Sequence, residues 1–394
     1  MNVKPAQRWF WLDWIRVLCM GAVFLYHCSA PFSYFPWDVT SSPTLGFTVL
    51  CLFITGWVMP LFFMISAVST YFSLKGRSVL QFTKERIHRL MVPFVVGLLF
   101  ILPVDDFVYY HSVSGYKHVG GFIRFYSGPY FTKYFPLNLN FSPTFFAGPD
   151  QGIYLWFLFW LFIFSVITAP CFKWLRSKEN TDKLRKLNAV CERRGGILLL
   201  AIPIVVVNIA AVPPYFIPPN LLSPYGGWKI PTYFVFFVTA YVMACNPQFE
   251  DCLEENRILA LLLGIATISL SIGALLSGEA DQSGIASYYL PLSVLQALSG
   301  WFWVVAILGF GRKYLSFNNT FLQRSNELVL PFYVLHQSVI VLIAFYVVAL
   351  NLIPVEKFLL ILLASFPIVV ALLYPISKIN GLRYLFGMKN KPET

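Results

Sequence analysis

Three ionisable side chains share one apolar run near the N-terminus, WLDWIRVLCMGAVFLYHCSAPF: Asp13, Arg16 and His27. On a helix turning about 100° per residue, Arg16 falls about 60° from Asp13, and His27 returns to within about 20° of Arg16. All three therefore occupy one narrow face, with Asp13 and Arg16 able to pair at i,i+3 and His27 roughly 16 Å farther along the axis. An imidazole can take a proton from a hydroxyl or carry a transferred group, and a guanidinium can steady developing negative charge. The plainer alternatives are a hydrogen-bonded structural histidine and an Asp–Arg pair reaching for lipid headgroups.

Two further clusters carry chemistry. In FTKERIHRLMVPF, Arg86 and Arg89 stand at i,i+3 beside Lys84 and His88. Paired guanidinium donors suit a phosphate-bearing ligand, although positive charge at a membrane surface also binds headgroups without any further function. In NELVLPFYVLHQSVIVLI, Tyr333 and His336 again share a face, flanked by Glu327 and Gln337. There a phenol can orient an imidazole, and the alternative is hydrogen bonding that simply holds helices together. Trp156, in IYLWFLFWL, reads as a belt residue at a membrane interface.

The elements that must position these groups are membrane helices. Of 394 residues, 58% are hydrophobic and 12% charged, whereas soluble domains carry roughly 25% charged residues. Ten apolar segments are long enough to cross a bilayer, near 10–33, 45–74, 91–110, 152–172, 196–216, 230–246, 258–277, 285–310, 328–350 and 357–377. The fold expected is an all-α polytopic membrane bundle of about ten transmembrane helices, a single domain over 1–394 with no appended soluble domain. With both termini cytoplasmic, 23 Lys and Arg lie on the inner side and 5 on the outer, the bias that sets orientation. The net charge of +11 is therefore an orientation signal, and nucleic acid is excluded as a partner while membrane lipids are expected.

Seven cysteines show no metal or redox spacing, and no metal site is expected; only Cys28 and Cys51 fall where a disulfide is geometrically conceivable. The first apolar segment lacks a small-residue cleavage site and is not read as a removable signal. Outer loops near 111–151 and 213–229 combine Tyr, Trp, Gly and Pro, a composition that fits a carbohydrate or headgroup surface or a plug over the bundle. No internal repeat is visible.

The residues so assembled resemble the acyltransferase 3 family of integral membrane proteins, and within it look most like the branch containing the glucan biosynthesis protein C succinyltransferases. The resemblance rests on LDWIR at 12–16, the spacing of Arg16 and His27, LFFMISA at 61–67, the Arg86/Arg89 pair ahead of Pro93, LWFL at 155–158 and PFYVLHQSV at 331–339. These follow the family's order over nearly the whole chain. Two positions depart from it: Ala67 replaces the usual Gly, and Tyr154 stands where many relatives have His.

The resemblance implies transfer of an acetyl or succinyl group from a cytoplasmic acyl-CoA (acetyl-CoA or succinyl-CoA) to a hydroxyl of a glycan or lipid-linked glycan at the outer face. It also implies residence in the plasma membrane, the bacterial inner membrane by analogy. His27, Arg16, Asp13, His336 and Tyr333 become candidate catalytic residues, Arg86 and Arg89 candidate donor-binding residues, and Trp156 a candidate substrate contact. The competing reading is a transporter or flippase that uses the same intramembrane charges as a substrate or proton path.

Overall fold

Inside a bilayer no water is available to the backbone, so an apolar segment must satisfy its own N–H and C=O groups, which a helix does within one stretch of chain. The computed structural model describes residues 9–35, 37–112, 121–134, 154–176, 189–210, 228–276 and 285–391. The chain runs α1 (Phe10–Ser29), α2 (Leu45–Thr55), α3 (Val58–Ser73), α4 (Val79–Ser112), α5 (Trp156–Leu175), α6 (Gly196–Ala210), α7 (Ile230–Ala244), α8 (Phe249–Leu276), α9 (Ile285–Tyr314), α10 (Thr320–Val347), α11 (Pro354–Lys378) and α12 (Asn380–Leu385). Among the described residues eight spans are long and apolar enough to cross a membrane, α2 and α3 together forming the second. The two shorter apolar helices, α6 and α7, fall on the fifth and sixth segments expected from the sequence. An all-α membrane bundle is therefore the fold, and no strand forms among the described residues.

Lipid is the solvent for much of its surface. Leu259, Leu262 and Ile265 of α8 and Leu363, Phe366 and Val370 of α11 are exposed in helical register, as lipid-facing side chains should be. The apolar interior instead gathers around α1, which packs against α3, α9 and α10.

Breaks in the helices are met by specific partners. The second span interrupts its hydrogen bonding at Gly56–Trp57, and the Trp228 indole donates to the freed Thr55 carbonyl at 3.0 Å. Trp228 fits there because Gly300 of α9 has no side chain: a Cβ would lie 2.5 Å from the ring. In α4, wide π turns at Ile87–Met91 and Gly97–Ile101 accompany Pro93 and Pro103, which cannot donate to the carbonyls four residues earlier. Tyr130 donates to the Leu98 carbonyl and Ser338 of α10 to that of Ile101, tying the second wide turn to its neighbours.

The structure extends the third expected span. It begins at Val79, not near residue 91, after a capping box in which Ser78 and Gln81 satisfy each other's backbone N–H groups. Arg86 and Arg89 thus lie within the spanning helix, and the wide turn, not a regular α turn, separates them. All seven cysteines are free thiols, and Cys28 and Cys51 are buried without bridging. The two aromatic outer loops fall largely outside the described residues.

The α8–α9 hairpin shows how tightly the backbone is packed. Trp303 donates to the Gly264 carbonyl at 3.1 Å, and a Cβ on Gly309 would approach the Leu253 carbonyl oxygen to 2.3 Å. Relieving such an overlap separates the helices and costs about 1–3 kcal/mol. Gly309→Ala should therefore lower the thermal unfolding midpoint in detergent, read by intrinsic tryptophan fluorescence, and an unchanged midpoint would contradict this close approach.

Candidate active site

The polar face of α1 looks into the bundle. Arg16 Nη1 bonds Asp13 Oδ1 at 3.2 Å, as the i,i+3 spacing predicts, and also Asn326 Oδ1 of α10 at 3.0 Å. Its Nη2 reaches Ser69 Oγ of α3 at 2.9 Å. A guanidinium offers five N–H donors in a fixed plane, so one side chain joins three helices here. The alternative of an arginine reaching out to headgroups is excluded by these partners.

Beside it lies a cavity of about 500 Å³. Its mouth is at the end of the bundle where α1 starts and α11 stops, with Glu85, Arg89 and Lys389 on the wall; Arg16, Arg86, Ser69 and Asn326 line its polar middle. Met20, Met59, Phe62, Phe157 and Leu161 line the apolar remainder, together with Tyr333. Arg86 donates to Thr70 Oγ1 at 3.1 Å, and its guanidinium lies 4.8 Å from the centre of the Phe82 ring. Arg16 and Arg86 thus bind adjacent residues of α3 and stand at one level. The wall's carboxylates are already engaged, Glu85 by Arg77 and Arg89 and Glu327 by Arg383. What remains is a cationic mouth suited to an anionic ligand.

Farther along α1 and α10 is a second cluster. The rings of His27 and His336 meet edge to face, centroids 5.1 Å apart, with Trp37 and Tyr26 also against His27. His336 Nδ1 lies 2.7 Å from the Tyr333 carbonyl, which can only accept, so that nitrogen carries the proton. The phenol of Tyr333 does not orient the imidazole, contrary to the expectation from their spacing; the Tyr333 backbone does. The hydroxyl of Tyr333 instead donates to the Tyr154 carbonyl, while the Tyr154 hydroxyl donates to the Val334 carbonyl. Two tyrosines thereby lock the start of α5 to α10. His27 Nδ1 and His336 Nε2 are buried polar atoms without hydrogen bonds, an arrangement proteins seldom keep without use.

The cavity wall includes Arg16 and Tyr333 but neither histidine. Arg16 and His27 project from the same side of α1 as expected, yet only Arg16 lines the cavity, and the histidine pair is packed behind Tyr333. The reason is packing: Tyr333 is only 8% exposed, held by its hydrogen bond and by the Phe157 ring 5.9 Å away.

Trp156 departs from the interfacial role its position suggested. It is buried, 5.3 Å from Tyr233 and 6.2 Å from Phe63 between ring centroids. Sequence reading also missed three buried carboxylates near the histidines, Asp38, Asp105 and Asp106. Gln337 Nε2 donates to Asp38 Oδ2 at 3.4 Å, and both Asp105 carboxylate oxygens are buried without hydrogen bonds among the described residues. The paired acids in LPVDDFVYY were the available signal, since two adjacent carboxylates inside an apolar span are costly without a purpose.

Comparison with known proteins agrees with this arrangement. The family model described as an acyltransferase domain matches residues 9–376. Relatives include the Glucans biosynthesis protein C of Escherichia coli O17:K52:H18 and that of Escherichia coli O6:K15:H31, each 25% identical over 342 residues, covering 85% of this chain and 83% of the relative. No solved structure matches the chain. With the family match spanning almost the entire bundle and the polar clusters on its inner faces, the chain belongs to the acyltransferase 3 family and is a multi-pass membrane acyltransferase.

Proposed function

We propose that this enzyme transfers an acetyl or succinyl group from a cytoplasmic acyl-CoA to a hydroxyl of a glucan, or of another cell-envelope glycan free or lipid-linked, in the bacterial inner membrane. The observation that carries the reading is the graded cavity: guanidinium groups near its mouth, apolar walls beyond, and two imidazoles on the other side of Tyr333. Phosphates would lie against Arg86 and Arg89, with Arg16 at the same level, and the thioester arm would extend along the apolar wall. The roughly 16 Å of helix between Arg16 and His27 suits an extended arm. The glucan acceptor is inferred from the names of the relatives.

In the transfer step the acceptor oxygen attacks the thioester carbonyl while His27 takes the hydroxyl proton. Collapse of the tetrahedral intermediate breaks the C–S bond, and the departing thiolate regains a proton from the imidazolium. His336, held through Nδ1 by the Tyr333 carbonyl, packs against His27 and fixes its ring. Asp13 keeps Arg16 oriented. For thioester and His27 to meet, Tyr333 has to leave its bond to the Tyr154 carbonyl, so that phenol acts as the partition between donor and acceptor sides. Trp156, outside the cavity lining but beside its wall residue Phe157, supports the site through the Tyr233 and Phe63 rings.

Purified protein given acyl-CoA and a glucan oligosaccharide should release free thiol and acylated glucan; a transporter has no cause to consume the thioester. His27→Ala should abolish transfer at unchanged expression and unfolding midpoint, and retained transfer would reject the catalytic role. The Arg86→Gln, Arg89→Gln double variant should raise the KM for acyl-CoA at least about tenfold, given roughly 1.5–3 kcal/mol per charged hydrogen bond. The KM for the acceptor should hold; a rise in both, or in neither, would count against donor binding at these residues.

A further inference from the structure

The C-terminal segment after α11 is built into the donor cavity. Arg383 of α12 is 2% exposed and directs its guanidinium into the fold. Its Nε donates to the Lys389 carbonyl at 2.7 Å, Nη1 to the Ser377 carbonyl at 3.0 Å, and Nη2 pairs with Glu327. The Met388 N–H returns to the Arg383 carbonyl at 2.8 Å, and Asn380 brackets Lys391 through both its amide oxygen and nitrogen. A loop closed by so many bonds has a fixed path.

That path runs across the cation pair of α4. Gly387 has φ 69° and lies so near α4 that a Cβ would come within 2.8 Å of the Arg89 carbonyl oxygen. Only glycine tolerates both the left-handed backbone and the approach. The carbonyl it covers is the one to which Pro93 cannot donate. The next two residues, Met388 and Lys389, then form part of the cavity wall. Met388 is 4% exposed and anchors the turn, whereas the Lys389 side chain is exposed and, among the described residues, pairs with no carboxylate.

We propose that Lys389 binds the phosphate of the acyl donor that lies farthest from its thioester, the ribose phosphate of a coenzyme A thioester. The inference rests on the donor reading given above. Depth selects the phosphate: the thioester must point toward Tyr333 and His27, so the opposite end of the donor stays at the mouth. The cations nearer the mouth are more exposed, with side-chain exposures of 24% for Arg16 and 49% for Arg89, and Lys389 is exposed as well. Arg16 and Arg86 are fixed by Ser69 and Thr70 on α3, so they cannot follow a phosphate outward. A flexible ammonium on a fixed backbone can meet a terminal phosphate as a point charge without the planar match a guanidinium requires.

The experiment is calorimetric binding of coenzyme A and of 3′-dephospho-coenzyme A to the detergent-solubilised full chain, its Lys389→Gln variant and a Lys391→Gln control. Wild-type protein should bind coenzyme A about tenfold more tightly than the dephospho form, the scale of one charge-assisted hydrogen bond. Lys389→Gln should lose about that factor for coenzyme A and nothing for the dephospho form, while Lys391→Gln changes neither. Equal losses for both ligands, no loss at all, or the same loss from Lys391→Gln would overturn the assignment to Lys389. Wild-type protein that binds neither ligand would overturn the donor reading itself, and with it this proposal.

Discussion

A cation held within a membrane bundle constrains everything around it, and here that cation is Arg16. Leaving such a charge without partners in an apolar medium costs several kcal/mol, so the helices bearing its partners must come together. Asp13 supplies the counter-charge from the same helix, Ser69 a hydroxyl from α3, and Asn326 an amide oxygen from α10. This arrangement fixes the rotation of α1. Once that rotation is set, His27 eleven residues on is directed toward α10, where it meets His336. The cavity beside Arg16 and the histidine pair beyond Tyr333 are both outcomes of the same helical phase.

Much of this was legible because it is local. The face shared by Asp13, Arg16 and His27 follows from residue spacing, and the Asp13–Arg16 pair needs one turn of helix. The apolar segments announce themselves by length. The relation of Tyr333 to His336 was half legible: their proximity was apparent, but whether a phenol or a carbonyl holds the imidazole depends on Tyr154, 179 residues distant in sequence. Trp156 misled because tryptophan at a span's end is ordinarily interfacial, and its burial depends on Tyr233 and Phe63 from other helices. The C-terminal turn was missed for the same reason: nothing in the sequence near Lys389 records that Gly387 will rest on Arg89.

The packing of Tyr333 between the cavity and the histidine pair suits the proposed reaction, in which donor and acceptor approach from opposite sides. A continuous passage would leave the bundle leaky to ions and water, and it would expose a thioester to hydrolysis. A tyrosine is well matched to such a partition. Its ring is apolar enough to lie against Phe157, and its hydroxyl has a carbonyl to hold it in place. The reciprocal bond from Tyr154 to the Val334 carbonyl means that movement of either ring loosens the junction of α5 and α10. The barrier and the support of His336 are thus built from neighbouring atoms of one helix.

The wide turn at Ile87–Met91 has an effect on length as well as on shape. Such a turn accommodates one residue more than an ordinary helical turn, so it acts as an insertion absorbed without a loop. Everything N-terminal to it is dialled around the axis relative to the apolar remainder of α4. Arg86 reaches Thr70 through that offset, while the lipid-facing half of the helix keeps its own angular setting. Removing one residue from this stretch would straighten the helix and still swing its basic end out of alignment, so the irregular turn works as the adjuster that lets a membrane span carry a precisely aimed charge.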